Sequence, residues 1–347
     1  MNHLPLVEIL AILTIVLAGL YSFTNGFKDA SSIVATVVST KALSPEAALA
    51  LVATFEFLGA SLLGTAVART VGARIIHLSM TGTGSSGLFM VMGALLGALS
   101  WNMLSWRRGL PTSSGQALLG GLLGASLSGW GVHSIAWKTV GLVFITLIGT
   151  PFLSFCLAAL ATRCLNFASG GLSPRWNEIF RWLQVPSCVA VSLAHSTNDA
   201  QAAMGIMTLG LMLGGFHGDP LGDFNVPRWV IEICAFSIAL GVLVGGSRIL
   251  RTLGMKFYRI RPLQGLGAQM GSAGAIFAAA LAGFPASTTQ VMTSSILGAG
   301  ASIRPKAVRW KVAQEVMFAW LVTIPSAAIL GAVGHLVLKL SFGHFGG

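Results

Sequence analysis

Two short polar clusters interrupt apolar stretches of the sequence, and each contains an Asp-Ala pair. Residues 25–32 (NGFKDASS) form the first cluster, and residues 195–201 (HSTNDAQ) form the second. A carboxylate at membrane depth costs about 2.5 to 3.5 kcal/mol on insertion scales, so it is usually retained for a function. Aspartates that only cap helices or pair with Lys28 are the alternative. Because carboxylate and amide oxygens bind hard cations or carry protons, we expect a site for a cation or a proton that includes Asn25, Asp29, Asn198 and Asp199.

Two turns of related sequence place hydroxyl groups at the predicted start of an apolar helix. The first hairpin turn, residues 111–116, reads PTSSGQ, and the second, residues 285–290, reads PASTTQ. A helix that begins inside the membrane presents free N–H groups and the positive end of its dipole, which suits a phosphate-like anion. A single such turn would more simply be a helix cap. Because the turn occurs twice, we expect anion binding by Thr112, Ser113, Ser114, Ser287, Thr288 and Thr289.

The clusters and turns recur in the same order, which indicates an internal repeat. The second Asp-Ala pair follows the first by 170 residues, and the second hairpin turn follows the first by 174. We therefore predict a first transmembrane repeat at residues 1–161, a short basic connection at 162–181 and a second transmembrane repeat at 182–347.

The composition places these elements in a membrane. Of 347 residues, 54% are hydrophobic and 9% charged, and the mean hydropathy is +0.80, which excludes an ordinary soluble domain. The predicted fold is an all-α integral membrane protein of about 10–12 transmembrane segments, with helices broken at both clusters. The net charge of +11 comes largely from connections such as 163–181, 248–261 and 304–311, which we interpret as orientation signals rather than a nucleic-acid surface. With these connections in the cytoplasm, each repeat crosses an odd number of times and the two repeats are inverted.

The sequence lacks the residue patterns that are typical of disulfides, metal sites and common enzyme active sites. The four cysteines have no CxxC spacing and most histidines are scattered near predicted helix ends, so neither a disulfide nor a metal site is indicated. No HExxH or GxSxG motif is present, so we expect neither an enzyme nor a cofactor other than a coupling ion. Glu56, Glu232 and Glu315 could line a polar pathway through the membrane or could be interfacial or paired carboxylates, and both interpretations stay open.

The first cluster with the segment 34–45 that follows it, and residues 198–205 (NDAQAAMG), resemble the paired signature of the inorganic phosphate transporter (PiT) family. The two hairpin turns also resemble those of that family, so the likeness spans nearly the whole chain in order. It implies uptake of inorganic phosphate, alone or as a metal-phosphate complex, by symport with H⁺ or Na⁺ through alternating access around a midplane site. It further implies a multi-pass homodimer in the lipid bilayer of the cell (inner) membrane, and it adds Ser32 and Gln201 to the cation site.

The sequence departs from the family pattern at a few positions. Lys28 stands where family members often have His or Asn, Ser32 where many have Asn, and Gln116 and Gln290 where His is common. With fewer imidazoles, a proton relay through histidine is less favoured, and the coupling ion stays open between H⁺ and Na⁺. Because some similar proteins carry sulfate, a sulfate or other oxyanion permease is one alternative, and a passive anion channel is another.

Overall fold

The computed structural model describes residues 4–170, 174–219, 222–245 and 260–343. Within these ranges the protein contains eleven α-helices and no β-strand, apart from one isolated bridge between Ile76 and Ile135. The helices are α1 Leu4–Ser39, α2 Pro45–Leu62, α3 Ala66–Arg69, α4 Ser85–Arg107, α5 Ser114–Trp130, α6 Trp137–Ser169, α7 Pro174–Leu213, α8 Arg228–Val244, α9 Pro262–Leu281, α10 Thr288–Ile303 and α11 Trp310–Phe342.

Five of the described helices are long and apolar enough to cross a membrane: α1, α2, α4, α6 and α11. The helices that follow the hairpin turns are shorter, with 17 residues in α5 and 16 in α10. At 1.5 Å per residue these two are about 25 Å long, less than the hydrocarbon thickness of about 30 Å. The protein is therefore an all-helical membrane protein, while the number of crossings stays a prediction.

Helices from each half of the chain pack against helices from the other half. The hairpin formed by α4 and α5 packs against α11, and the hairpin formed by α9 and α10 packs against α6. Trp320 of α11 donates from Nε1 to the carbonyl of Pro111 in the first hairpin turn, at 3.0 Å. Ser154 of α6 donates to the carbonyl of Val291 in α10, at 3.1 Å. Each hairpin is thus held by the last long helix of the other half.

The predicted breaks at the two polar clusters are wrong, because α1 and α7 run through them as continuous helices. Neither cluster contains proline, and hydroxyl groups bond back to the helix without opening it. Ser31 donates to the carbonyl of Lys28 at 3.1 Å, and Thr197 donates to the carbonyl of Ala194 at 2.7 Å. Lys28, Asp29 and Asp199 find hydrogen-bond partners on other helices, so the backbone can stay helical.

The predicted basic connections are only partly loops. Most of the segment 162–181 is helical, since α6 ends at Ser169 and α7 begins at Pro174. Of the connection 248–261, residues 248–259 lie outside the described residues. The hairpin turns do separate two helices each, as expected, and Ser113 caps α5 by accepting a bond from the Gln116 N–H at 3.1 Å.

Two glycines bring α1 and α8 into backbone contact beside the first cluster. A methyl group at Gly26 would overlap the carbonyl of Ile238, and one at Gly241 would overlap the carbonyl of Phe23. Small residues at helix crossings let backbones approach this closely in membranes. The contact fixes the depth and rotation of α1, and hence the positions of the polar side chains that follow Gly26.

Gly241→Ala is expected to lower stability, because the added methyl must displace the α1 backbone, and overpacking of this kind costs about 1 to 3 kcal/mol. Gly141→Ala on α6 is the matched control, since a methyl there would meet no neighbouring atom within 4 Å and Ala favours helix over Gly. The apparent melting temperature in detergent measures both variants. Equal values would contradict the close α1–α8 contact.

Candidate functional site

The aspartates of both clusters face the second hairpin turn. Asp29 on α1 accepts a hydrogen bond from the Thr289 hydroxyl at 2.7 Å, and Asp199 on α7 accepts one from the Thr288 hydroxyl at 3.3 Å. All four side chains are buried. The turn therefore binds one carboxylate from each half of the chain at the start of α10.

His195 lies between the two carboxylates. Its Nε2 atom is 3.7 Å from Asp29 Oδ2 and 3.7 Å from Asp199 Oδ2, while its Nδ1 atom is 2.5 Å from Glu56 Oε1. All of these groups are buried, and Glu56 on α2 is 0% exposed. Three buried acids around one imidazole leave these four groups with a net negative charge in every state where at most two extra protons are bound. Such a site favours an additional cation or proton.

The geometry suits binding of a cation. Asp29, His195 and Asp199 each offer one ligand atom, and these atoms all lie within 4.8 Å of one another. Ser32 lines the narrow cavity beside them, together with Thr288 and Thr289. This cluster qualifies the expectation from sequence that no metal site is present, because its donors could hold either a metal ion or a proton.

The first hairpin turn has a different partner. Lys28 on α1 donates from Nζ to Asn102 Oδ1 on α4 at 2.8 Å, and lies 3.4 Å from both Thr112 Oγ1 and Ser114 Oγ. Thr112 in turn donates to the Ser105 hydroxyl at 2.6 Å. Lys28 therefore does not pair with the neighbouring aspartate as the alternative from sequence held.

The two hairpin turns lie side by side. A methyl group at Gly115, in the first turn of α5, would lie 3.7 Å from the carbonyl of Ala286 in the second turn. Tyr21 donates to the carbonyl of Ser114 at 3.0 Å, and Asn198 accepts from the N–H of Ala286 at 3.1 Å. One surface formed by α1 and α7 thus supports both helix starts.

The remaining residues that the sequence predicted at the site differ in their contacts. Gln201 points away from the carboxylates and accepts from the N–H of Val67 at the start of α3, at 2.9 Å. Asn25 and the Ser287 hydroxyl are buried with no hydrogen-bond partner among the described residues. Ser113 serves as the N-cap of α5. Their expected roles in binding stay predictions.

Sequence reasoning left several contacts of the site unassigned. The buried bond between Glu56 and His195 joins helices that are 139 residues apart, and Asn102 was hidden in an aromatic-rich apolar segment. Glu232 instead pairs with Arg228 at 2.5 Å near the surface. The side chain of Glu315 lies outside the described part of the chain. A polar residue within an apolar segment, such as Asn102, was the one signal that could have indicated this half of the site.

Comparison with known proteins decides the family. The sequence profile of the phosphate transporter family matches residues 25–173 and 168–331. The chain belongs to the phosphate transporter family. A probable low-affinity inorganic phosphate transporter of Bacillus subtilis (strain 168) is 37% identical over 336 residues, which cover 96% of this chain and 98% of the relative. A protein of the same name from Rhizobium meliloti (strain 1021) is 38% identical over 327 residues, covering 94% and 96%.

The fold is also that of a solved transporter. The structure of a sodium-dependent phosphate transporter matches with a TM-score of 0.85, covering 95% of this chain and 99% of that chain at 21% identity. At this identity the likeness establishes the fold. The relatives are named transporters, so the family resemblance and the expectation that the chain is not an enzyme are confirmed.

Glu56→Leu is expected to destabilise the transporter, because it leaves His195 buried without its acceptor, and removing one partner of a buried pair costs about 3 to 5 kcal/mol. Glu232→Leu is the matched control, since an exposed pair contributes about 0 to 1 kcal/mol. The apparent melting temperature in detergent is measured for both variants. A decrease in melting temperature for Glu232→Leu as large as that for Glu56→Leu would show that the buried pair contributes no more to stability than the exposed pair.

Proposed function

We propose that the protein takes up inorganic phosphate by symport with a cation, with the substrate bound between the two hairpin turns and the cation at Asp29, His195 and Asp199. The observation that carries the proposal is the meeting of one carboxylate from each half with the start of α10. A substrate site next to these groups would couple the occupation of the cation site to the position of the hairpins. The family membership supports phosphate as the substrate.

The cation is either a proton or Na⁺. Carboxylates and an imidazole can exchange protons, and carboxylate and hydroxyl oxygens are ligands for hard cations such as Na⁺. Sodium dependence is a described property of the solved neighbour, which is 21% identical to this chain. Both ions are therefore tested in the experiment below.

Alternating access would use the two halves as inverted repeats. In support, α1, α2, α4, α5 and α6 have counterparts of the same order in α7, α8, α9, α10 and α11, and each hairpin packs on the other half. Inverted repeats place two half-helix starts at one site from opposite sides of the membrane. Rocking of one hairpin against its supporting helix would then open the site to either side.

The cellular setting is part of the same proposal. We place the protein as a multi-pass homodimer in the cell (inner) membrane, with phosphate carried alone or as a metal-phosphate complex. The alternative is that the protein is a sulfate permease of the same fold. Competition of labelled phosphate uptake by excess sulfate distinguishes sulfate from phosphate as the substrate. A passive anion channel is the alternative in another class, and it would conduct without accumulating phosphate against a gradient.

Asp29→Asn and Asp199→Asn are each expected to abolish cation-driven accumulation of labelled phosphate in proteoliposomes while leaving insertion intact, because removing a buried charge eases insertion. Na⁺ and proton gradients are imposed separately to identify the ion. Glu46→Gln, at the exposed start of α2, is the control and should transport like the wild type. Normal uptake by both aspartate variants would show that the carboxylates are structural, and no accumulation by the wild type under either gradient would exclude symport.

Inversion of the repeats predicts opposite sidedness for the ends of α4 and α9. Arg108 and Ala282 are equivalent, exposed residues that follow these helices with ordinary right-handed backbone angles, so cysteine fits at both. In a background without the four native cysteines, an impermeant thiol reagent should label position 108 from the cytoplasmic side and position 282 from the outside. Labelling of both from one side would mean that the halves are parallel.

A further inference from the structure

The ammonium group of Lys28 is surrounded by neutral oxygen atoms. It donates to Asn102 Oδ1 at 2.8 Å, and it lies 3.4 Å from the carbonyl and the hydroxyl of Thr112 and from the Ser114 hydroxyl. The residue is only 4% exposed, so water does not stabilise its charge. These four oxygens come from α4 and from the first hairpin turn.

This cation has no acidic partner in contact. Among the residues that the structure describes, no Asp or Glu oxygen lies within 4.0 Å of the Lys28 nitrogen, although Asp29 is its neighbour in the chain. A buried charge is normally paired, because an unpaired one loses its hydration without compensation. The carboxylates of Asp29 and Asp199 act on Lys28 only at longer range, and an anion in direct contact with its ammonium group would be strongly favoured.

Further donors lie at the same place. The Nδ2 atom of Asn102 is buried without a hydrogen-bond partner among the described residues, although the Oδ1 atom of the same amide group contacts Lys28. Helix α5 begins at Ser114, and the N–H groups of Ser114 and Gly115 have no acceptor within the helix, whereas that of Gln116 is capped by Ser113. The Ser114 hydroxyl can also donate, whereas the Thr112 hydroxyl already donates to Ser105. An oxyanion at this position would receive a full positive charge and several hydrogen bonds.

The second hairpin turn has the opposite electrostatic surroundings. Ser114 and Thr288 occupy equivalent positions, 174 residues apart, yet Ser114 lies beside an ammonium group whereas Thr288 donates to Asp199. Because the turns lie side by side, the centre of the protein has one cationic and one acidic edge. An anion would bind the first edge and a cation the second.

We propose that Lys28 is a substrate-binding residue that holds the transported tetrahedral oxyanion at the first hairpin turn, with the Asn102 amide and the Ser114 hydroxyl as further donors. The inference deepens the proposed phosphate transport and rests on it. It assigns a role to one of the residues at which this sequence departs from the family pattern. A covalently attached cation at this edge supplies positive charge whether or not a mobile cation is bound.

The test measures uptake of labelled phosphate in proteoliposomes as a function of its concentration, for the wild type and for Lys28→Gln, Lys28→Arg and Ser114→Ala. Loss of a hydrogen bond to a charged group should raise the half-saturation concentration roughly ten- to hundredfold in Lys28→Gln. Lys28→Arg keeps the charge and should lose less. Lys138→Gln, an exposed lysine at the start of α6, is the control and should behave like the wild type.

A second measurement separates binding from folding. Phosphate added to the purified wild type in detergent should raise its apparent melting temperature above that in sodium chloride of equal ionic strength, and Lys28→Gln should lose this increase. A variant that keeps the phosphate-induced increase and an unchanged half-saturation concentration, with only its maximal rate lowered, would overturn the assignment. If Lys28→Gln does not insert, an unchanged half-saturation concentration in Ser114→Ala would do the same. Absence of both binding and uptake in the wild type would instead contradict the proposed function itself.

Discussion

The central constraint in this structure is the burial of several ionisable side chains on α1, α2 and α7 in the interior of a membrane protein. Asp29, Glu56 and Asp199 each place an oxygen 2.5 to 3.7 Å from a ring nitrogen of His195, and all four residues have almost no exposure. Carboxylates at this depth are tolerated only when paired or hydrogen-bonded. The imidazole and the two threonine hydroxyls of the second hairpin turn supply these partners, so the hairpin, α1 and α7 must meet where they do.

The exchange of hairpins between the halves follows from the same requirement. Helices α5 and α10 are too short to cross the hydrocarbon alone, and their starts expose backbone N–H groups that need polar neighbours. Packing α5 on α11 and α10 on α6 surrounds both short helices with protein. Their starts then face the polar side chains of α1 and α7 instead of lipid.

The two halves are similar in sequence pattern but different in charge at the centre. Lys28 and Asn198 occupy equivalent positions 170 residues apart, and each contacts the hairpin turn nearest to it. In the first half this contact brings a cation to the turn, and in the second half it brings an amide, with carboxylates beside it. The two hairpin turns therefore differ in the charge of the side chains that contact them.

The sequence by itself determined the membrane class, the family resemblance and the positions of both hairpin turns, because apolar composition and Pro-Ser/Thr turn chemistry are local properties. It also singled out Asp29 and Asp199 as site candidates, since a charged residue in an apolar segment is conspicuous without any structure. It failed on helix continuity at the clusters: the partners that satisfy Asp29 and Asp199 are on other helices, and a chain read alone suggests that the backbone must break there. Only the tertiary structure decided that His195 binds Glu56, that both carboxylates face the second turn and that Lys28 faces the first. These contacts join residues 74 to 260 positions apart, and their geometry depends on how the helices pack.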